Sequence, residues 1–167
     1  MKKVSLIVSM LIILALTSTT AFAGSGISKS TAINKALSDA NLTKAKVTML
    51  ECELEHGKYE VEFTKKANNA EYDYEISKKS GKILEKSVDY EYTPNSSKDK
   101  IGKSAARKKV SKFSGISLAT VKKGTCTYEY DDNEGTYEVK FKTKKYRYDY
   151  EVLAPTGKII EYSRELR

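Results

Sequence analysis

Four stretches of the chain alternate apolar with charged or polar residues at a period of two. This period is typical of β-strands that bury one face and expose the other. A fifth stretch, in which Leu50, Cys52 and Leu54 alternate with Glu51 and Glu53, follows the same pattern. The acidic residues at the alternate positions are interpreted as a solvated sheet face. The four stretches are Tyr59–Phe63, Tyr72–Ile76, Tyr137–Phe141 and Tyr148–Val152.

A helical period precedes each group of strands. Small and apolar residues recur at three- and four-residue spacing in the first helix, and Ser28 stands before them as an N-cap. A fourth strand is expected after Gly81 and again after Gly157, because Ile83-Leu84 and Ile159-Ile160 follow turn residues. The apolar positions are Ala32, Ile33, Ala36, Leu37 and Ala40 in the first helix, and Ile101, Ala106, Val110 and Phe113 in the second.

The same blocks occur twice in the same order. Tyr59–Phe63 corresponds to Tyr137–Phe141 at an offset of 78 residues, and Tyr72–Ile76 to Tyr148–Val152 at an offset of 76. Ser80-Gly81-Lys82-Ile83 corresponds to Thr156-Gly157-Lys158-Ile159, also at 76. Ordered recurrence at a nearly constant offset predicts an internal repeat.

These patterns predict an α+β protein of two repeated units, each with one helix packed on a three- to four-stranded antiparallel sheet. The first unit covers residues 24–91, the second covers 101–167, and residues 92–100 form the linker, where Pro94 and its polar neighbours favour a turn. Units of this size are marginally stable alone. We therefore expect them to pack on each other or to continue one sheet.

Residues 1–23 have the order of a secretory signal peptide. Lys2 and Lys3 precede an apolar run from Val4 to Leu16, and the small residues Ala21 and Ala23 flank Phe22. Cleavage is expected after Ala23. The alternative is a membrane anchor, but the run is short for a span. The prediction is a secreted or envelope-associated protein with no stable membrane span in its mature chain.

Catalytic motifs do not emerge from the sequence. His56 is the single histidine of the chain, and the stretch Glu55-His56-Gly57-Lys58 predicts a hairpin turn. A two-histidine metal motif is therefore excluded, and no Ser lies in a Gly-x-Ser-x-Gly elbow. We predict a protein that is not an enzyme and that has no cofactor and no metal site.

Cys52 and Cys126 are 74 residues apart and occupy corresponding positions. Export permits a disulfide between them. The alternation instead places each on the apolar side of its own strand, where a free cysteine packs as a small hydrophobic residue. Two buried free thiols are favoured over a bridge.

A leading helix, a Gly-x-Tyr-x-Val-x-Phe strand and a Tyr-x-Tyr-x-Ile/Val strand that runs into Ser/Thr-Gly-Lys-Ile resemble the PepSY domain family. The resemblance covers nearly all of the mature chain, twice. It implies small α+β domains of secreted and envelope proteins that inhibit or regulate peptidases. The family often carries an Asp where this chain has Ser77 and Leu153, so no role that depends on that Asp is expected.

Charge is divided unequally along the chain. Residues 27–91 carry a net charge of −1, and residues 101–167 carry +6. A basic surface attracts acidic partners, although charge runs are commonly only a solvated surface. The candidate binding surface comprises Lys103, Arg107, Lys108, Lys140, Lys142, Lys144, Lys145 and Arg147.

Two functions follow as hypotheses. The first is a secreted binding protein that inhibits or regulates an extracellular peptidase, with Tyr90, Tyr92 or Tyr162 as exposed anchors. The second is an envelope module that holds an anionic polymer through residues 101–167. Nucleic acid is not expected as a partner because the protein is exported.

Overall fold

The computed structural model describes residues 26–92, 99–131 and 134–167. Within them it contains three α-helices, a 3₁₀ turn at Lys44–Lys46 and eight strands. The helices are α1 (Lys29–Asp39), α2 (Lys103–Ser114) and α3 (Leu118–Lys122). The strands are β1 (Val47–Glu55), β2 (Lys58–Lys65), β3 (Ala70–Ser77), β4 (Ile83–Asp89), β5 (Thr125–Asp131), β6 (Glu134–Lys142), β7 (Tyr146–Leu153) and β8 (Ile159–Leu166).

The predicted strands form antiparallel hairpins. His56 and Gly57 have φ values of 47° and 81° and make the two-residue turn between β1 and β2. Positive φ at both central positions matches the twist of the flanking strands, and Gly adopts it without strain. The expected fourth strands after Gly81 and Gly157 are present as β4 and β8.

All eight strands belong to one antiparallel sheet in the order β1-β2-β3-β4-β8-β7-β6-β5. The predicted fold class, two repeated units that each pack one helix on a three- to four-stranded sheet, is wrong. β4 and β8 pair directly, with Ser87 opposite Ser163 and Val88 opposite Tyr162. The pairing satisfies backbone groups that would otherwise form two additional exposed edges. Only β1 and β5 remain as edge strands among the described residues.

Both long helices cover the same face of the sheet. Ser28 caps α1 as predicted, and its hydroxyl accepts a hydrogen bond from the backbone N–H of Thr31 at 3.2 Å. Ala32, Ala36 and Leu37 of α1 pack against β1–β4, and Ala106 of α2 packs against β5–β8. α3 was not predicted, because its five residues are too few to show a helical period.

The sheet is held together at its centre by a cluster of charged and aromatic side chains. Lys86 of β4 is buried, and its Nζ lies 3.1 Å from Oδ2 of Asp39 at the end of α1. Nη2 of Arg164 on β8 lies 3.0 Å from the other oxygen of Asp39. Tyr74 also donates its hydroxyl to Asp39, at 3.1 Å. One carboxylate thereby connects α1, β3, β4 and β8.

Aromatic rings complete this central cluster. The Nζ of Lys86 lies 5.7 Å, 5.4 Å and 5.7 Å from the ring centroids of Tyr72, Tyr74 and Tyr162. Cations over ring faces are stabilised electrostatically when water is excluded. Burial alone would raise the pKa of Asp39, but the hydrogen bond from Arg164 and the charge of Lys86 outweigh it and hold this pKa below its usual value.

Cys52 and Cys126 are both buried and free, in the two core clusters that lie beneath α1 and α2. Burial raises the pKa of both thiols. Since the thiolate is the reactive form, both cysteines are expected to react slowly.

The predicted signal peptide, residues 1–23, lies outside the described residues, as does most of the predicted linker, since residues 93–98 are not described. The domain boundaries therefore remain predictions. None of the described helices combines the length and the apolar character that crossing a bilayer requires.

Replacing Asp39 with Ala should lower the free energy of unfolding by about 1.5–3 kcal/mol, because Lys86 would stay buried without its carboxylate partner. Chemical denaturation of the wild type and the variant measures this loss. Ser38→Ala, one residue away on an exposed position, is the control and should stay within about 0.5 kcal/mol. The loss should shrink when Lys86→Met is also present, and equal losses in both backgrounds would contradict the ion pair.

Candidate functional site

The face of the sheet that faces away from the helices is open, and we call it the open face. Strand alternation places on it the residues next to each buried position, and the antiparallel register aligns them in rows across the strands. Among the described residues, eighteen Asp and Glu side chains belong to this face. They are Glu51, Glu53, Glu55, Glu60, Glu62, Glu71, Asp73, Glu75, Glu85, Asp89, Glu129, Asp131, Glu134, Glu138, Asp149, Glu151, Glu161 and Glu165.

Four cations share the open face with these carboxylates: Lys58, Lys140, Lys142 and Arg147. Three of them are neutralised locally. Lys58 pairs with Glu75, Lys140 pairs with Glu138 and with Asp149 at 3.3 Å, and Arg147 pairs with Glu165 at 3.0 Å. The open face therefore has a strong negative excess, although the chain as a whole carries a net charge of +8.

Two depressions lie on the open face in the C-terminal half of the sheet. The smaller, of about 180 Å³, is lined by carboxylates that include Glu138, Glu151 and Glu161. The larger, of about 640 Å³, lies towards the β6–β7 turn, and its rim includes Lys142 and Arg147. Asp149 lines both, so the two depressions adjoin.

The crowding of carboxylates changes their protonation. Partial burial raises the pKa of Asp73 to about 6, and the charges of Glu62, Asp89 and Glu71 add to the shift. Partial burial likewise raises the pKa of Glu161 to about 7, again with like charges contributing. Like charges held close together disfavour ionisation. The open face thus gains charge as the pH rises through 6 and 7.

The eight residues predicted as a basic binding surface do not lie together. Lys103, Arg107 and Lys108 belong to α2, on the helix side of the sheet. Lys140, Lys142 and Arg147 belong to the open face on the opposite side. Lys144 and Lys145 are exposed in the turn between β6 and β7. The helix residues and the strand residues of the predicted surface are thus on opposite sides of the sheet.

The tyrosines predicted as exposed anchors are half-buried. Tyr90 and Tyr162 have ring centroids 6.4 Å apart and pack between the two core clusters. Tyr92 donates its hydroxyl to Glu134 at 2.6 Å. The large exposed apolar side chains instead include Met49 and Leu54 on the edge strand β1, with 75% and 47% of their surface exposed.

The acidic open face was readable in outline, because its residues occupy the alternate positions of each strand. Its extent follows only from the alignment of all eight strands in one sheet.

Within the described ranges, no group of three or more His, Cys, Asp or Glu side chains is arranged to hold a metal ion.

The free energy of unfolding should fall as the pH rises from 5 to 8. The folded-state pKa values of Asp73 and Glu161 lie above their unfolded values of 3.8 and 4.5, so the native state binds more protons in this range. Their contribution to stability is complete below about pH 4 and is lost as the pH rises through 6 and 7. Thermal unfolding at several pH values measures the slope.

The double variant Asp73→Asn, Glu161→Gln should flatten this slope and be more stable than the wild type at pH 8. Glu53→Gln, Glu55→Gln makes the same change in charge at the sheet edge and serves as the matched control, which should retain most of the slope. A wild-type stability that rises between pH 5 and 8 would contradict the assignment.

The chain is similar to several solved structures, while no curated protein matches it significantly. It is 19% identical to the Bacillus megaterium YpeB C-terminal domain, with 83% of this chain and 63% of that chain covered and a TM-score of 0.46. This chain therefore spans less than two thirds of that domain.

Two further structures are a putative lipoprotein from Clostridium difficile 630 and a putative periplasmic protein from Bacteroides eggerthii DSM 20697. The first is 17% identical over 80% of this chain and 90% of that one, with a TM-score of 0.31. The second is 11% identical over 80% and 86%, with a TM-score of 0.29. At such low TM-scores, these likenesses carry no functional assignment.

The family comparison concerns α1 and most of strands β1–β4. The resemblance read from the sequence is confirmed for this part of the chain, and for residues 101–167 it stays a prediction. Residues 26–86 match the PepSY family, described as Peptidase propeptide and YPEB domain.

Proposed function

We propose that this protein is a secreted, non-catalytic binding module that regulates an extracellular peptidase. The match of residues 26–86 to the PepSY family is the observation that carries the proposal, because the family's description names peptidase propeptides. The predicted signal peptide supports a location outside the cytoplasm. Regulation then takes place by contact between this module and a separate peptidase chain.

The edge strand β1 is the part of the matched region that best suits such a contact. Met49 and Leu54 are exposed apolar residues on it, and protein interfaces place apolar side chains at their centre within a polar rim. Met49 has a φ of 49° at an irregularity between Thr48 and Glu51. Bulges of this kind redirect side chains and discourage indiscriminate pairing along an edge.

The placement of the predicted basic residues favours a protein partner over an anionic polymer. Only Lys103, Arg107 and Lys108 of the eight lie together on α2, and Lys140 and Arg147 are already paired with carboxylates. A polymer site that extends across all eight residues would have to reach both sides of the sheet.

The test measures peptidase activity in the producer's culture supernatant as purified protein is added. We expect a saturable change in activity and recovery of the peptidase with the immobilised protein. The double variant Met49→Ser, Leu54→Ser should weaken the effect at least tenfold, because it replaces two apolar side chains of the proposed interface with polar ones.

Glu53→Gln, Glu55→Gln alters neighbouring residues of the same strand and is the matched control, which should act like the wild type. No change in any secreted peptidase activity would contradict the proposed function. Capture of anionic wall polymer, lost when Lys103, Arg107 and Lys108 are replaced with Gln, would instead favour the polymer function.

A further inference from the structure

The charges of this protein are sorted onto two opposite sides. The open face carries eighteen carboxylates against four cations. On the other side, the three helices and the 3₁₀ turn carry ten Lys and Arg against one acid, Asp39, which already pairs with Lys86 and Arg164. The ten cations are Lys29, Lys35, Lys44, Lys46, Lys103, Arg107, Lys108, Lys109, Lys112 and Lys122.

We propose that copies of this protein stack front to back, with the acidic open face of one copy docked on the basic helix side of the next. The occupant of the open face is thus a second copy of the chain. This inference goes beyond the proposed function, because it concerns a contact between copies of the chain and not a contact with a peptidase.

Charge complementarity selects this occupant. Potentials of opposite sign favour association, whereas two open faces, or two helix sides, would repel each other. A symmetric dimer that pairs identical faces is therefore disfavoured. Each copy presents one face of each sign, so the contact is heterologous and leaves a free face at both ends of every stack.

The size of the open face is sufficient for a specific contact. Eight strands spaced about 4.8 Å apart, each about 25 Å long, span roughly 1,000 Å². A standard interface buries about 800 Å² on each partner. The open face is also not flat. Its depression of about 180 Å³ between Glu138, Glu151 and Glu161 offers space for a lysine side chain of the next copy.

Most apolar residues of the strands face the helices and are buried, so the open face offers few apolar contacts. The stack therefore depends on charge. Association should therefore be strong at low salt and weak at high salt. The Debye length is about 30 Å at 0.01 M ionic strength and about 3 Å at 1 M. Sedimentation velocity over a range of protein concentrations at these two salt levels measures the average mass.

At low salt the average mass should rise more than twofold above the mass of the monomer and continue to rise with concentration. At high salt it should return to the monomer. An average mass that stays at one monomer at low salt, or that stops at a dimer, would overturn the proposal.

Two variants locate the contact. The first replaces four carboxylates of the open face, with Glu53→Gln, Glu62→Gln, Glu71→Gln and Glu161→Gln. The second replaces four helix-side lysines, with Lys108→Gln, Lys109→Gln, Lys112→Gln and Lys122→Gln. Each variant alone should associate more weakly than the wild type, because one of its two faces has lost part of its charge. An equimolar mixture should form mainly one-to-one complexes, since each variant supplies the fully charged face that the other lacks.

The matched control replaces four lysines of the turns that join β3 to β4 and β6 to β7, with Lys79→Gln, Lys82→Gln, Lys144→Gln and Lys145→Gln. It makes the same change in net charge as the second variant and should associate like the wild type. Circular dichroism establishes that each variant is folded, and the salt dependence of the wild type tests the proposal without any variant. Association that is unchanged in both face variants would overturn it.

Discussion

The pairing of β4 with β8 is the interaction on which the rest of the structure depends. Each strand lies last in its half of the chain, and each would be an exposed edge if the halves were separate. Their antiparallel pairing places Ser87 opposite Ser163 and makes one sheet of eight strands. The same pairing brings Arg164 of β8 to Asp39 of α1, so the first helix is fixed to the last strand.

A continuous sheet also determines where the charges lie. Because both long helices cover one face, the alternate residues of all eight strands are left on the other, and these are mostly acidic. The helices carry mostly basic residues on the opposite side. The protein therefore has two surfaces of opposite sign, which its net charge of +8 does not reveal. The cost appears in the pKa values of Asp73 and Glu161, which partial burial raises and repulsion from neighbouring carboxylates raises further.

The open face lowers stability at neutral pH, and a binding role would explain why the protein has such a surface. Charged clusters of one sign destabilise the compact state through repulsion, and an opposing surface relieves that repulsion. A stacked copy would supply cations to the open face. The proposed contact with a peptidase would use the exposed apolar side chains of Met49 and Leu54 on β1, and the proposed stack would use the carboxylates of the open face.

Much of the fold was predictable from local pattern. The alternation in Tyr59–Phe63 and Tyr148–Val152 identified strands and their buried faces, and Ser28 identified the start of α1. The alternation could not reveal that β4 pairs with β8, because period two tells which face a side chain lies on and not which strand lies beside it. The predicted fold class of two repeated helix-on-sheet units is wrong for this reason.

The candidate site was predicted less well, because the basic surface was inferred from clusters of Lys and Arg along the sequence. Lys108 and Lys140 both lie in basic stretches, yet one belongs to a helix and the other to the opposite face of the sheet. The acidic residues are spread over eight strands, so no single stretch shows them as one surface. Only the register of the whole sheet brings them together.

The most direct test of the continuous sheet is a cross-link between its two central strands. In the variant Ser87→Cys, Ser163→Cys, the two introduced residues are direct Cα partners on β4 and β8, within the ~7 Å that a disulfide requires. Ser87→Cys, Thr127→Cys places the second cysteine four strands away, at about 19 Å, and serves as the control. After mild oxidation, peptide mapping should find the 87–163 disulfide within single chains and little 87–127 disulfide. A variant in which residues 87 and 163 cross-link no more than the control pair would contradict the single eight-stranded sheet.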